Sequence, residues 1–79
     1  MMTDYKPIDC GLYSEYEVAI LLRSRLRLSW RDSKENVHIE GLTPNDLRTR
    51  KGEEFLVVTG QDGGQQEIRL DRILHSKPA

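Results

Sequence analysis

With 79 residues and 12 Lys+Arg against 13 Asp+Glu, the chain makes one domain at most, and its net charge of −1 argues against a generic phosphate-coating protein, which carries a basic excess. A chain this short buries only about 60% of its unfolded surface, which leaves room for one core and little for a deep catalytic cleft. The single Cys10 excludes an internal disulfide, and no apolar run approaches the ~20 residues that span a bilayer.

Residues 1–9 read as an extended arm, with Pro7 keeping Lys6 out of helical geometry. The arm has no basic region leading into an apolar stretch, so no secretory signal is visible and a cytoplasmic protein is expected. From Ser14 the pattern turns helical: Leu12, Tyr16, Ala19 and Ile20 share one side, widened by Val18 and Leu22. Ser14 followed three residues later by Glu17 matches a capping box, with Tyr13 and Val18 as the staple, and predicts a helix over 14–23. Next, Leu26, Leu28 and Trp30 alternate with Arg25, Arg27, Ser29 and Arg31, the period of a half-buried strand. NVHIEGL continues the alternation, read with Val37 and Ile39 inward and His38 and Glu40 outward, and DSKEN is the hairpin turn between the two strands. TPNDLRTRKGEE is a loop, with turn signals at Pro44, Asn45-Asp46 and Gly52. FLVVT is apolar on consecutive positions and predicts a strand covered on both faces. GQDGGQ is a turn, EIRLDRI a returning strand, and HSKPA closes the chain, with 25–75 as the folded body and 76–79 as a tail. The fold class is mainly β (α+β): a helix and about five short antiparallel strands. A sheet this short leaves exposed edges unless it curls and closes, so a small barrel is expected.

Catalytic and metal chemistry find little support. Cys10, His38 and His75 are the only soft metal ligands and no two have zinc-like spacing, so neither a metal nor a cofactor is expected. Cys10 has no glycine-rich elbow or orienting motif beside it, and a small buried hydrophobe is the simpler reading. Glu53 and Glu54 are adjacent on a strand and point to opposite faces, a poor geometry for an acid–base pair. No catalytic residue is assigned.

Two surfaces could bind a partner. Arg25, Arg27 and Arg31 share a strand face that resembles single-strand nucleic-acid platforms, but Trp30 has the opposite parity and no outward aromatic accompanies them. A solvated face balanced by Glu40, Glu67 and Asp71 is the blander reading. The second surface is the helix front with the loop RTRKGEE: Tyr13, Ser14, Glu17 and Leu21 share a flank that offers an aromatic body beside a carboxylate, and Tyr13, Glu17, Arg50 and Lys51 are expected to form one patch.

The blocks YKPIDC at 5–10, YSEYE at 13–17, DLRTRKGEEFLVV at 46–58 and EIRLDRI at 67–73 resemble, in order and spacing, the Rof family, also called YaeO, bacterial Rho-binding antiterminators. The likeness covers nearly the whole chain. It implies an Sm-like barrel behind an N-terminal helix, and a partner, the termination factor Rho, whose N-terminal region is bound so that its primary RNA-binding site is obstructed. The residues that match the family's Rho-facing positions are Tyr13, Ser14 and Glu17 on the helix and Arg50, Lys51 and Gly52 in the loop. The protein is then a monomer when free and binds no nucleic acid itself; the alternative is an Sm-like single-stranded RNA module using Arg25, Arg27 and Arg31.

Overall fold

A computed structural model describes residues 3–79. The first element, α1 (Cys10–Leu22), begins one turn earlier than the capping box predicts. Its N-cap is Asp9, whose extended backbone (φ −59°, ψ 140°) lets the carboxylate accept the Gly11 N–H at 3.0 Å. The Asp9 carbonyl accepts the Tyr13 N–H at 3.0 Å. Aspartate caps as well as serine does, and the extra turn lets Leu12 and Tyr13 pack against the core. Ser14 and Glu17 are therefore interior helical positions on the exposed side and make no cap. Cys10, at the first turn, is exposed, contrary to its reading as a buried hydrophobe. The helix ends on Arg23 in the left-handed region (φ 54°), with the Ser24 N–H reaching the Ala19 carbonyl at 2.9 Å, a closure that satisfies the last orphan carbonyls.

Five antiparallel strands follow: β1 (Leu26–Arg31), β2 (Val37–Arg50), β3 (Glu53–Thr59), β4 (Gln65–Arg69) and β5 (Ile73–Pro78). A single 3-10 turn, Leu70–Arg72, interrupts the segment read as one continuous strand. The spatial order is β4-β3-β2-β1-β5. The DSKEN turn closes with the Asp32 N–H on the Asn36 carbonyl at 2.9 Å, and the β3–β4 turn with the Gly60 N–H on the Gly64 carbonyl at 2.9 Å.

Two segments differ from expectation. The loop predicted over 43–54 is mostly strand: β2 is fourteen residues long, and a register shift between Pro44 and Asp46 lets it bend while pairing β1 with its first half and β3 with its second. Pro44, which has no N–H to give the ladder, sits at that irregularity. Only Lys51 and Gly52 remain as a turn, both at positive φ (50° and 79°), the geometry of a two-residue hairpin that follows the twist of its strands. The tail is also a strand, pairing Leu26 with Pro78 and Ser29 with His75. β4 and β5 stand at the two ends of the ladder with no pairing between them among the described residues, so the sheet is open and the expected closed barrel is not formed.

The core joins Tyr16 and Ala19 of α1 to Leu26, Leu28, Trp30, Leu42, Leu56, Val58, Ile68 and Leu70. Each fully buried aliphatic side chain contributes about 2 kcal/mol of transfer free energy. Leu56, Val57 and Val58 are buried in succession, as the run FLVVT predicts. The face of β2 is a correction. Val37 and Ile39 are exposed, while His38 is half-buried and stacks on Trp30 with ring centroids 5.3 Å apart. Inward parity on β2 is set by Leu42 and Pro44, which are buried, and Val37 and Ile39 have the opposite parity. No helix among the described residues is long and apolar enough to cross a membrane.

Candidate functional site

The front of α1 is positioned by the arm before it. Arg69 of β4, with a side chain 13% exposed, sits between Asp71 (Nε to Oδ1, 2.6 Å), Asp4 (2.8 Å) and Glu53 (3.5 Å), and its guanidinium lies over the Tyr5 ring at 5.8 Å from the centroid. Arg69 in turn holds the Asp4 carboxyl below the usual carboxylate range. The Lys6 N–H donates to Asp71 at 3.1 Å, the Tyr5 hydroxyl to Glu54 at 3.1 Å, and the Thr3 hydroxyl to Glu53. Burial and the Glu54 carboxylate push the Tyr5 phenol well up, so it stays a donor. These contacts tie residues 3–6 to β3, β4 and the 3-10 turn, and so fix where Asp9 begins the helix.

Beyond that anchor, Tyr13, Glu17, Ile20 and Leu21 of α1 face Asp46 and Leu47 of β2 across a groove of about 390 Å³. Tyr13 is half-buried, and burial first, then the charges of Glu54 and Glu17, raise its phenol pKa. The floor is apolar, from Ile20, Leu47 and the Tyr13 ring, while Glu17 and Asp46 are exposed carboxylates. Leu21 is 80% exposed, an unpartnered aliphatic side chain at the margin. A groove of this kind accepts aliphatic or aromatic side chains of a partner that also brings positive charge. Ser14 is exposed on the same helix and does not line the groove.

The second group lines a different hollow, so the expected single patch is not what the two linings share. Lys51 and Gly52 form the β2–β3 turn, and Arg50 precedes it. Arg50 is ion-paired with Glu67 and lies 4.9 Å over the Phe55 ring; Arg48 pairs with the same Glu67 at 3.1 Å. Arg50, Lys51, Glu53 and Phe55 line a separate hollow of about 270 Å³. Cross-strand partners share a sheet face, which sets Arg48 with Phe55 and Arg50 with Glu53 on one side, and Leu47 with Leu56 and Thr49 with Glu54 on the other. Leu47 belongs to the groove under α1, so β2 turns Arg50 away from Tyr13 and Glu17. Lys51, at the turn, is exposed and makes no ion pair among the described residues.

Asp46 and Leu47 escaped the sequence reading because their segment read as loop; strand periodicity in DLRTR was the available signal. Among the described residues no group of three His, Cys, Asp or Glu could hold a metal ion. No curated protein matches the chain. A family model described as modulator of Rho-dependent transcription termination matches residues 7–79, and the chain therefore belongs to the ROF family, whose role is regulatory.

Proposed function

We propose that this protein inhibits Rho-dependent termination by binding the N-terminal region of Rho and obstructing its primary RNA-binding site. Family membership and the groove between α1 and β2 support this reading; the groove is the observation that carries it. Its acidic margin and apolar floor suit a partner surface that has evolved to hold RNA and is therefore basic. Tyr13 and Glu17 make the central contact, Ser14 and Leu21 flank it, and the Arg50-Lys51-Gly52 turn reaches a second part of the same partner. The protein acts in the cytoplasm as a monomer without cofactor or catalysis, and its helix-plus-sheet arrangement is an opened form of the Sm-like fold.

The test is capture of purified Rho, with and without pyrimidine-rich RNA, followed by termination assays. Glu17 takes no part in a cap, so Glu17→Gln removes charge without loosening the helix. It should weaken Rho binding about tenfold, or ~1.4 kcal/mol. Lys51→Glu should also weaken binding while leaving the melting temperature unchanged, since an exposed turn lysine contributes little to stability. Undiminished inhibition by the folded double variant would place the Rho interface elsewhere.

A further inference from the structure

The outer face of β5-β1-β2 holds a second surface, distinct from the groove beneath α1. The register aligns Arg27 with Gly41 and Lys77, Ser29 with Ile39 and His75, and Arg31 with Val37. Leu26, Leu28 and Trp30 alternate inward, so these partners stand together on the solvent side. Arg27, Ser29, Ile39, His75, Ser76 and Lys77 line a hollow of about 420 Å³.

The hollow combines two features that folding alone does not require. It has an exposed aliphatic centre: Ile39, which lines it, is 65% exposed, and Val37, beside it on the same face, 54%. Its margin is cationic. The Arg25 side chain lies across Gly41, with Nε 3.1 Å from where a Cβ would stand, so a larger residue at 41 would displace it. Arg25, Arg27 and Lys77 make no ion pair among the described residues, and Arg31 has only exposed Glu35, at 3.5 Å. Of the carboxylates that could have balanced this face, Glu67 is engaged with Arg48 and Arg50 and Asp71 with Arg69, while Glu40, opposite Leu28, has the other parity on β2 and makes no ion pair with this face among the described residues. Like charges are thus gathered around exposed aliphatic side chains in a chain whose net charge is −1.

We propose that this face docks an acidic, aliphatic-bearing segment of another protein. Its carboxylates pair with Arg25, Arg27 and Lys77, and its aliphatic side chains cover Ile39 and Val37. Charge complementarity sets the sign of the partner, and the aliphatic centre sets its class. A single-stranded nucleic acid would need exposed rings to stack on, whereas Trp30 and Tyr16 are buried and, among the described residues, no Phe, Tyr or Trp lines this hollow. The proposal is independent of the Rho reading, which uses the groove beneath α1 and the β2–β3 turn.

The experiment is amide chemical-shift mapping of the full chain with a peptide of alternating glutamate and leucine, titrated to about 1 mM, a weak-affinity limit. A lysine–leucine peptide and an oligo-C RNA serve as comparisons. The expected result is saturable shifts confined to residues 25–31, 37–41 and 75–77, with none from the lysine peptide. Arg27→Glu combined with Lys77→Glu should weaken binding about tenfold or more, and Ile39→Asn should weaken it with every charge retained. Rho inhibition by these variants should match the parent. Absence of shifts up to that limit, binding unaffected by the variants, or shifts in the α1 groove would overturn the proposal. So would tighter binding of the RNA to the same amides. Concentration-dependent self-association that protects these residues would assign the face to a second copy and equally overturn it.

Discussion

Tyr16, 1% exposed, is the largest of the side chains less than 2% exposed, and its hydroxyl has no hydrogen-bond partner among the described residues. An unpaired buried hydroxyl costs about 1–3 kcal/mol, so Tyr16→Phe should hold or raise the melting temperature, a change opposite to that of most core substitutions. Asp32 is the reverse case, a carboxylate with every neighbour arranged for its charged form. His38 Nε2 lies 2.7 Å from Oδ2, and the N–H groups of Asn36 and Lys34 donate to Oδ1 at 3.0 and 2.8 Å. His38 first, then the backbone donors, lower its pKa from 3.8 to about 2. A lowered folded pKa means that this contribution to stability is complete above the unfolded value and is lost as pH falls through about 2. A carboxyl-carbon NMR titration should find the Asp32 midpoint near that value. Asp32→Asn should lower stability at neutral pH and flatten its decline on acidification.

At the scale of the element, α1 separates two candidate caps five residues apart, Asp9 and Ser14. Asp9 accepts the Gly11 N–H, whereas Ser14 lies a full turn inside the helix. Asp9→Ala should therefore cost ~1 kcal/mol, and Ser14→Ala, which puts the best helix former at an exposed interior site, should cost nothing or stabilise slightly. Chemical denaturation of both variants distinguishes the caps directly. The same displacement changes what Glu17 means. In a capping box its carboxylate would be committed to the backbone; here it is free on the groove's margin, which makes it available to a partner.

For the whole molecule, Arg69 is the link between the arm, the sheet and the 3-10 turn. Its partners Asp4, Glu53 and Asp71 come from three separate stretches of chain, and Asp71 also receives the Lys6 N–H. Arg69→Ala removes charge-assisted bonds and leaves the largely buried Asp71 carboxylate without its cation. The expected loss is about 2 kcal/mol. Because the arm sets the start of α1, hydrogen exchange should quicken at residues 5–13 in that variant while β1 and β3 keep their protection. Uniform loss of protection would show that Arg69 supports the sheet as a whole and not the arm.

Local chemistry alone determined much of this. The alternation in β1 placed Leu26, Leu28 and Trp30 inside and Arg25, Arg27 and Arg31 outside, because a period of two needs no information from elsewhere in the chain. Turn residues marked DSKEN and GQDGGQ, and the four consecutive apolar residues Phe55 to Val58 marked β3 as covered on both sides. Four spaced blocks carried the family, which the match over residues 7–79 shows. Other features needed the fold. A strand's period does not say which of its faces is inward, and for β2 the buried Leu42 and Pro44 decided against Val37 and Ile39. The tail became β5 only because β1 offers it a free edge. Asp9 prevailed over Ser14 as the cap in a helix whose preceding arm is tied down through Arg69. That Arg50 takes the face opposite Leu47 and its groove, finally, is a matter of which side of β2 each residue takes beyond the bulge. One inserted residue reverses that side, and only the pairing of β2 with β3 shows that it has been inserted.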